Sequence, residues 1–287
     1  MKPKILVQLD TDAQPSVFDS VVAVDSGVEH LFRHHAISAD NVRDRVHGAI
    51  FTRGVDDLKS TALFIGGSDV SIGEAVLKAV KKAFFGPMRV SVMLDSSGAN
   101  TTAAAAVLAA RKHLDLSQTT ALVLGGTGPV GRRVVRLLAR EGAVIRVGSR
   151  DAARAETVCR DVAAVVAGAK LSAHGIADPK QAADALKGCA LVVAAGAAGV
   201  ELLCNEGRTG TSGLKVAIDL NAVPPAGIGG IEPFDKATNR DGVTCYGPLG
   251  VGGTKMKIHK AAIAQLFERN DLVLDADELY DLGKSLG

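Results

Sequence analysis

The run GGTGPVG at residues 125–131 limits what this chain can fold into more than any other stretch. It follows an apolar segment, TTALVLGG, and opens an amphipathic one, GPVGRRVVRLLAREG, that stops at Gly142. A second apolar segment, AVIRVGSR, comes next, which completes a strand, helix, strand unit. Within the turn, Gly126, Gly128 and Gly131 fit the GxGxxG spacing, with Thr127 and Val130 between them. In that setting the first glycine allows a tight turn, the second lets backbone approach a pyrophosphate, and the third lets helix pack closely on strand. Pro129 suits a first helical turn, where no backbone donor is needed, and the helix N-terminus attracts an anion. The expectation is a dinucleotide site; a packing turn without ligand is the bland alternative.

The rhythm continues on both sides. DAARAETVCRDVAAVVAG and PKQAADALKG read as helices, and AKLSAHGI, CALVVAAG and LKVAIDLN as strands. Ala195, Gly196 and Asn221 end the last two strands, where a nucleotide would lie. Upstream, KILVQLD, TALFIGG and RVSVMLD read as strands, and SVFDSVVAVDSG, NVRDRVHGAIF and SIGEAVLKAVKKAFF as amphipathic segments. The longest has Ile72, Ala75, Val76, Ala79, Val80 and Ala83 on one face. SSGANTTAAAAVLAARKHL reads as a capped helix, NAVPPAGIGG and YGPLGVGG as loops, and TKMKIHKAAIAQLFE and DADELYDLGKSL as final helices. The predicted fold is α/β: a Rossmann-type doubly wound parallel sheet plus a smaller α/β substrate lobe built from the N-terminal third and the C-terminal helices. Expected limits are residues 1–112 for the substrate lobe, 113–250 for the nucleotide domain and 251–287 for helices returning to the first lobe, which implies a cleft between lobes. A length of 287 residues suits two cores.

VGSRD, residues 147–151, sharpens the cofactor expectation. A carboxylate at the end of the second strand would accept hydrogen bonds from the ribose hydroxyls of NAD; an arginine there pairs with a 2′-phosphate. Ser149 and Arg150, helped by Arg154 one turn later, favour NADP, while Asp151 is placed to cap the next helix. A solvated strand-end arginine is the alternative reading.

Composition narrows the partners. A net charge of +2 and an aromatic share of 3%, with no tryptophan, argue against nucleic acid. No apolar run approaches the ~20 residues of a membrane span, and MKPKILVQLD does not resemble a secretory leader, so no membrane partner and a cytoplasmic location are expected. Cys159, Cys189, Cys204 and Cys245 lack CxxC or metal-ligand spacing and read as reduced thiols, and the adjacent His34 and His35 as a surface pair, so no metal is expected.

Several longer strings go beyond the nucleotide fingerprint: QLDTDAQPSVFD, FFGPMRVSVMLDSSGANTTAAAA, NAVPPAGIGGI and GPLGVGGTKMKIHKAAIAQLFE. Through them the chain resembles, almost end to end, the NADP-dependent methylene-tetrahydromethanopterin dehydrogenases of bacterial one-carbon metabolism. The resemblance implies hydride transfer from the methylene carbon of a reduced pterin to NADP, giving the methenyl product and NADPH, with NAD accepted by some relatives. It points to Thr102 and Lys255 as catalytic, the lysine positioning the pterin rather than serving as an acid. Ser97, Gly98, Asn100 and Thr101 would meet pterin edges, Ser16 and Asp19 the amino-pyrimidine. Asp19 or Asp95 would offset the lysine's charge, and Lys257 completes the substrate set with Asp95. Helical spacing puts Lys255 and His259 on one face and Lys257 on another. Two positions depart from the family pattern: Ser97 stands where it has asparagine, and Thr254 where it has an aliphatic residue. A homo-oligomer, trimer or hexamer, is implied as well. Methylene-tetrahydrofolate dehydrogenase and a non-catalytic NADP sensor are the competing functions.

Overall fold

A computed structural model describes residues 2–287. Contacts divide the chain into two units. The first takes in the chain up to Thr101 and again Met256–Gly287, and the second is Thr102–Lys255. The boundaries fall inside two helices, whereas the expected limits, after residues 112 and 250, lie beyond the end of one helix and inside the other.

In the first unit the chain runs β1 (Ile5–Asp10), α1 (Val17–Asp25), β2 (His30–His34), α2 (Arg43–Ile50), β3 (Thr61–Gly66), α3 (Val70–Ala83) and β4 (Ser91–Leu94), then enters α4 (Ala99–Arg111). The second unit holds β5 (Thr120–Leu124), α5 (Pro129–Arg140), β6 (Val144–Ser149), α6 (Ala152–Val165), β7 (Lys170–Gly175), α7 (Pro179–Leu186), β8 (Leu191–Ala194), α8 (Asn205–Thr209), β9 (Val216–Asp219), β10 (Lys236–Arg240) and β11 (Val243–Tyr246). Along α9 (Pro248–Gln265) the chain passes back to the first unit, which ends with β12 (Val273–Leu274) and α10 (Ala276–Ser285).

The first sheet has the order β12-β4-β3-β1-β2 and is parallel throughout. Its core joins Val7 and Leu9 of β1, Leu63 and Ile65 of β3, and Val92 and Leu94 of β4 to Val46 of α2 and Val76 and Val80 of α3. The second has the order β10-β11-β9-β8-β5-β6-β7, parallel except for the β10–β11 hairpin. Each sheet is doubly wound: crossovers leave β1 and β5 in both directions, so each has a switch point at its carboxyl edge, between β1 and β3 and between β5 and β8.

Four features differ from the sequence reading. β2, HLFRH, lies at the sheet edge with mostly exposed residues and lacks the apolar run that marks an inner strand. The hairpin and the two-residue β12 escape for the same reason. The inward face of α3 is Val70, Gly73, Val76, Leu77 and Val80, and Ile72 is 42% exposed, because the helix rolls toward the sheet on its glycine. Finally, α9 starts at Pro248, so the expected loop GPLGVGG is mostly helix. Side chains at Gly247 and Gly250 would fall on the carbonyl oxygens of Glu232 and Asp235, so these two glycines serve close packing rather than a loop.

Candidate functional site

At the switch point of the second sheet, the turn after β5 closes against the end of β8. Gly125 carries the tight turn, at φ 69°, and a Cβ there would lie 2.5 Å from Gly196 Cα. The turn role assigned to Gly126 therefore belongs to its neighbour. Gly126 is needed for packing, since a Cβ would meet Val147 Cγ1 at 2.8 Å. Gly131 has the expected packing role, its place for a Cβ being filled by the Gly125 carbonyl. Gly128, the N-cap of α5, differs: a Cβ there would make only ordinary contacts at 3.4 and 3.5 Å. The fold does not need a glycine at 128, and its absent side chain leaves the backbone open beside the first turn of α5.

A cavity of about 470 Å³ opens beside this turn. Thr127, Gly128, Pro129, Ser149, Arg150, Arg154, Ala195 and Gly196 line it, while Gly126, Val130, Gly131 and Asn221 do not. Ser149 Oγ stands 3.3 Å from Thr127 Oγ1 and accepts the Asp151 N–H at 3.2 Å. Asp151 Oδ1 accepts the N–H groups of Ala153 and Arg154 at 2.9 and 3.3 Å, capping α6 as expected. Its carboxylate is thereby used on the helix. The guanidinium groups of Arg150 and Arg154 make no hydrogen bond or ion pair among the described residues. The crevice thus combines an open glycine, the first turn of a 12-residue helix and two uncommitted cations, an arrangement that fits a phosphorylated dinucleotide.

Sequence reasoning missed Ile176 and Leu202, which also line the cavity. Leu202 sits in an irregular segment without periodicity, held because its N–H donates to the Gly227 carbonyl at 2.9 Å. Gly227 and Ile228 in turn donate to the Asp219 carboxylate at 2.7 and 3.1 Å. Burial pushes the Asp219 carboxyl above its usual range, and these backbone donors pull the other way. Asn221 belongs to the same loop: its Oδ1 accepts Val223 N–H at 3.1 Å and its Nδ2 donates to the Pro225 carbonyl at 3.0 Å. The four cysteines are unpaired, and burial raises the thiol pKa of Cys159, Cys189 and Cys245, which makes them poor nucleophiles.

The carboxyl edge of the first sheet is constructed differently. Buried Asp10 accepts the Ser16 N–H and the Gln8 amide on Oδ2, at 2.9 and 3.2 Å, and the Asp12 N–H on Oδ1 at 3.0 Å. Ser16 Oγ caps α1 by accepting the Asp19 N–H at 3.2 Å. Asp19 and Asp10 converge over Gly66, where a Cβ would lie 3.3 and 3.2 Å from their Oδ2 atoms. Asp95 accepts the N–H groups of Asn100 and Thr101 on Oδ1 at 2.9 and 3.1 Å, and the Thr101 hydroxyl on Oδ2 at 2.6 Å. Asn100 Nδ2 donates to the Leu94 carbonyl at 2.6 Å and to Asp275 Oδ1 at 2.9 Å. His259 is buried 3.8 Å from Asp95 Oδ2 and stacks on Phe64 at 5.6 Å.

Asp95, Asn100 and Thr101 are therefore buried and turned inward, where they start α4. Of the polar run, Ser97 is exposed and Gly98 half-buried, both with left-handed backbones at φ 54° and 61°, and the Ser97 N–H donates to the Gly67 carbonyl at 2.7 Å. Thr102 and Lys255 are half-buried and Lys257 is exposed. No group of three or more potential metal ligands occurs among the described residues. No helix among them is long and apolar enough to cross a membrane.

Comparison with known proteins agrees with this architecture. Residues 17–97 match the family model described as methylene-tetrahydromethanopterin dehydrogenase, N-terminal. The protein named bifunctional protein MdtA, from Methylorubrum extorquens, is 45% identical over 288 residues, covering 100% of both chains. The NAD(P)-dependent methylenetetrahydromethanopterin dehydrogenase of the same organism is 30% identical over 292 residues, covering 98% of each. Among solved structures, quinate dehydrogenase from Corynebacterium glutamicum in complex with NAD superposes with a TM-score of 0.54 at 13% identity, covering 99% of this chain and 100% of that one. Ligand-free 5-ketofructose reductase of Gluconobacter sp. gives 0.52 at 15% identity, covering 100% and 99%. These two show a Rossmann-type fold, and the two Methylorubrum relatives establish more: this chain belongs to the methylene-tetrahydromethanopterin dehydrogenase family.

Proposed function

We propose that the chain oxidises methylene-tetrahydromethanopterin by hydride transfer to NADP, giving methenyl-tetrahydromethanopterin and NADPH. Family membership supports the pterin. The observation that carries the choice of NADP is the pair Arg150 and Arg154, lining the crevice without internal partners while Asp151 is occupied in capping α6. Gly128 and the first turn of α5 would hold the pyrophosphate; Ser149, Arg150 and Arg154 would hold the 2′-phosphate. When bound, the dinucleotide supplies the nicotinamide carbon that accepts the hydride. NAD would be taken more weakly, for want of the phosphate contacts.

No proton leaves the reacting carbon, so the chain's own task is to orient the pterin and exclude water. Asp19, at the switch point of the first sheet, is the acceptor offered to the amino-pyrimidine, with Ser97 and Gly98 on the same edge. Lys255, through its ammonium, would bind a pterin carbonyl, and Thr102 would supply a hydroxyl. We read the protein as a homo-oligomer acting in the cytoplasm.

The test is steady-state kinetics with both nucleotides, repeated for Arg150→Asp. The substitution should lower the NADP to NAD ratio of kcat/KM by about 100-fold, the equivalent of ~3 kcal/mol for a charge-assisted contact turned repulsive. An unchanged ratio would overturn the cofactor reading. Methylene-tetrahydrofolate, the substrate of the competing enzyme reading, belongs in the same assay. In Lys255→Ala, turnover should collapse with NADP affinity retained; turnover at the wild-type level removes the lysine from the mechanism. Tight NADPH binding without oxidation of either pterin would favour a sensor.

A further inference from the structure

A cavity of about 510 Å³ opens between α2 and α3 in the first unit, and neither carboxyl edge contributes a residue to it. Arg43, His47 and Phe51 line it from the α2 side, and Lys82, Phe84 and Phe85 from the α3 side. No carboxylate among the described residues lines it. Asp44, next to Arg43, turns instead into a separate groove beside β2. Hydride transfer uses none of these side chains, and the fold does not account for two of their properties.

The first is charge. The Arg43 guanidinium and the Lys82 ammonium make no hydrogen bond or ion pair among the described residues. Lys82 suits the last turn of α3, where the helix dipole favours a cation. Arg43 opens α2, where the dipole disfavours one, so local structure gives no reason for it. The second is the pair of exposed rings, Phe51 at 57% and Phe85 at 73%. Both are held in place. The Phe85 N–H donates to the Met88 carbonyl at 3.0 Å and the Met88 N–H returns to the Phe85 carbonyl at 2.9 Å, closing a turn in which Gly86 has φ 56°. The His47 ring packs edge-on against Phe51 at 5.3 Å. Two ordered aromatic faces and two uncommitted cations therefore share one cavity.

We propose that this cavity binds a nucleoside phosphate, apart from the dinucleotide crevice. The base stacks on the rings of Phe51 and Phe85, and Arg43 and Lys82 meet the phosphate, with His47 as a further donor. Two cations match the double charge of a phosphomonoester. A carboxylate leaves one of them unmatched, and a bare phosphate leaves the rings in water. Stacking tolerates any base, because every base has a π face, so the phosphate sets the selectivity. The volume, close to the 470 Å³ of the dinucleotide crevice, is sufficient for a mononucleotide. Phe84 and Phe85 lie in the connection leading to the amino end of β4, whereas the pterin and NADP are assigned to carboxyl ends of strands. The bound nucleotide is accordingly an accessory ligand and not a reactant, and the inference does not depend on the catalytic reading.

The test uses adenosine monophosphate, AMP, on the full chain. Photolabelling with an azido-adenine analogue of AMP, followed by peptide mapping, should place the label on residues 43–51 or 82–88, and excess AMP should remove it. Adenosine and inorganic phosphate should compete for this label about tenfold more weakly than AMP. Arg43→Glu and Phe85→Ala, both at exposed positions, should each weaken AMP at the labelled site about tenfold or more, while kcat/KM for NADP stays within about twofold. Label confined to residues 125–154, or labelling indifferent to both substitutions, would mean that AMP fills only the dinucleotide crevice and would overturn the site. The absence of saturable labelling would overturn it as well, and inorganic phosphate competing as well as AMP would reduce the cavity to an anion patch and remove the nucleotide. If wild type labels as expected but oxidises no pterin, the catalytic reading falls and this site stands.

Discussion

The two carboxyl edges share a topology and divide their labour in opposite ways. After β5, backbone does most of the shaping: Gly125, Gly126 and Gly131 make the turn possible, and Gly128, Arg150 and Arg154 are left over for a ligand. After β1, β3 and β4, buried carboxylates do the shaping. Asp10 and Asp95 take up six backbone and side-chain donors between them, so the polar groups that look most like ligand contacts are consumed by the fold. Binding groups can thus be separated from structural ones at the nucleotide edge by substitution, whereas at the other edge many polar substitutions should be felt first as stability.

The strongest challenge to that contrast is Gly131→Val. Its Cβ would fall on the Gly125 carbonyl, which is backbone and cannot move aside. Overpacking of this kind should cost about 3 kcal/mol and abolish NADP binding together with the turn. Differential scanning calorimetry and titration with NADP check both. Full stability with lost binding would mean that the turn is more compliant than its contacts indicate.

Next in size is Asp95→Ala. Removing the carboxylate strands two backbone N–H groups in a buried place and leaves the Thr101 hydroxyl only a long bond to the Gly98 carbonyl at 3.4 Å, at a cost of about 2 to 3 kcal/mol. Chemical denaturation should show the loss. Residual folded enzyme should keep its pterin KM within about threefold. A large rise in KM at unchanged stability would return Asp95 to the substrate set.

Legibility in the sequence follows the same division. GGTGPVG could be read because a phosphate turn is local: its glycines meet residues a few positions away or on adjacent strands, and the flanking apolar runs fix the context. The Asp151 cap was legible for the same reason. Asn100 was not, because its amide is shared between the Leu94 carbonyl and Asp275, the latter 175 residues distant, and the sequence does not distinguish such a clamp from an open binding group. Edge strand β2 and the glycine-bearing start of α9 escaped because their reasons, a sheet border and a backbone approach to residues 232 and 235, lie in other segments. Gly126 was given a turn that belongs to Gly125, since spacing alone does not tell which glycine takes the positive φ.

Gly128→Ala should have a smaller effect and separate the two jobs cleanly. With nearest contacts at 3.4 and 3.5 Å the methyl group fits, so stability should change by no more than about 0.5 kcal/mol. NADP affinity should fall about tenfold, ~1.4 kcal/mol, because the methyl group would stand where the proposed pyrophosphate contact lies. Equal losses in stability and binding would erase the distinction drawn between Gly128 and Gly131.

The smallest effect is the most specific test of the other edge. Ser97 is exposed at φ 54°, a conformation that costs most side chains energy and that asparagine tolerates better than serine. At this backbone geometry asparagine is the better-tolerated side chain, with or without a contact to substrate. Ser97→Asn should therefore stabilise the protein by a few tenths of a kcal/mol, ~0.5 at most, with kcat and pterin KM unchanged. If instead KM shifts severalfold while the melting temperature stays put, the side chain at 97 reads the pterin, and the first edge has kept at least one exposed polar group for its ligand after all.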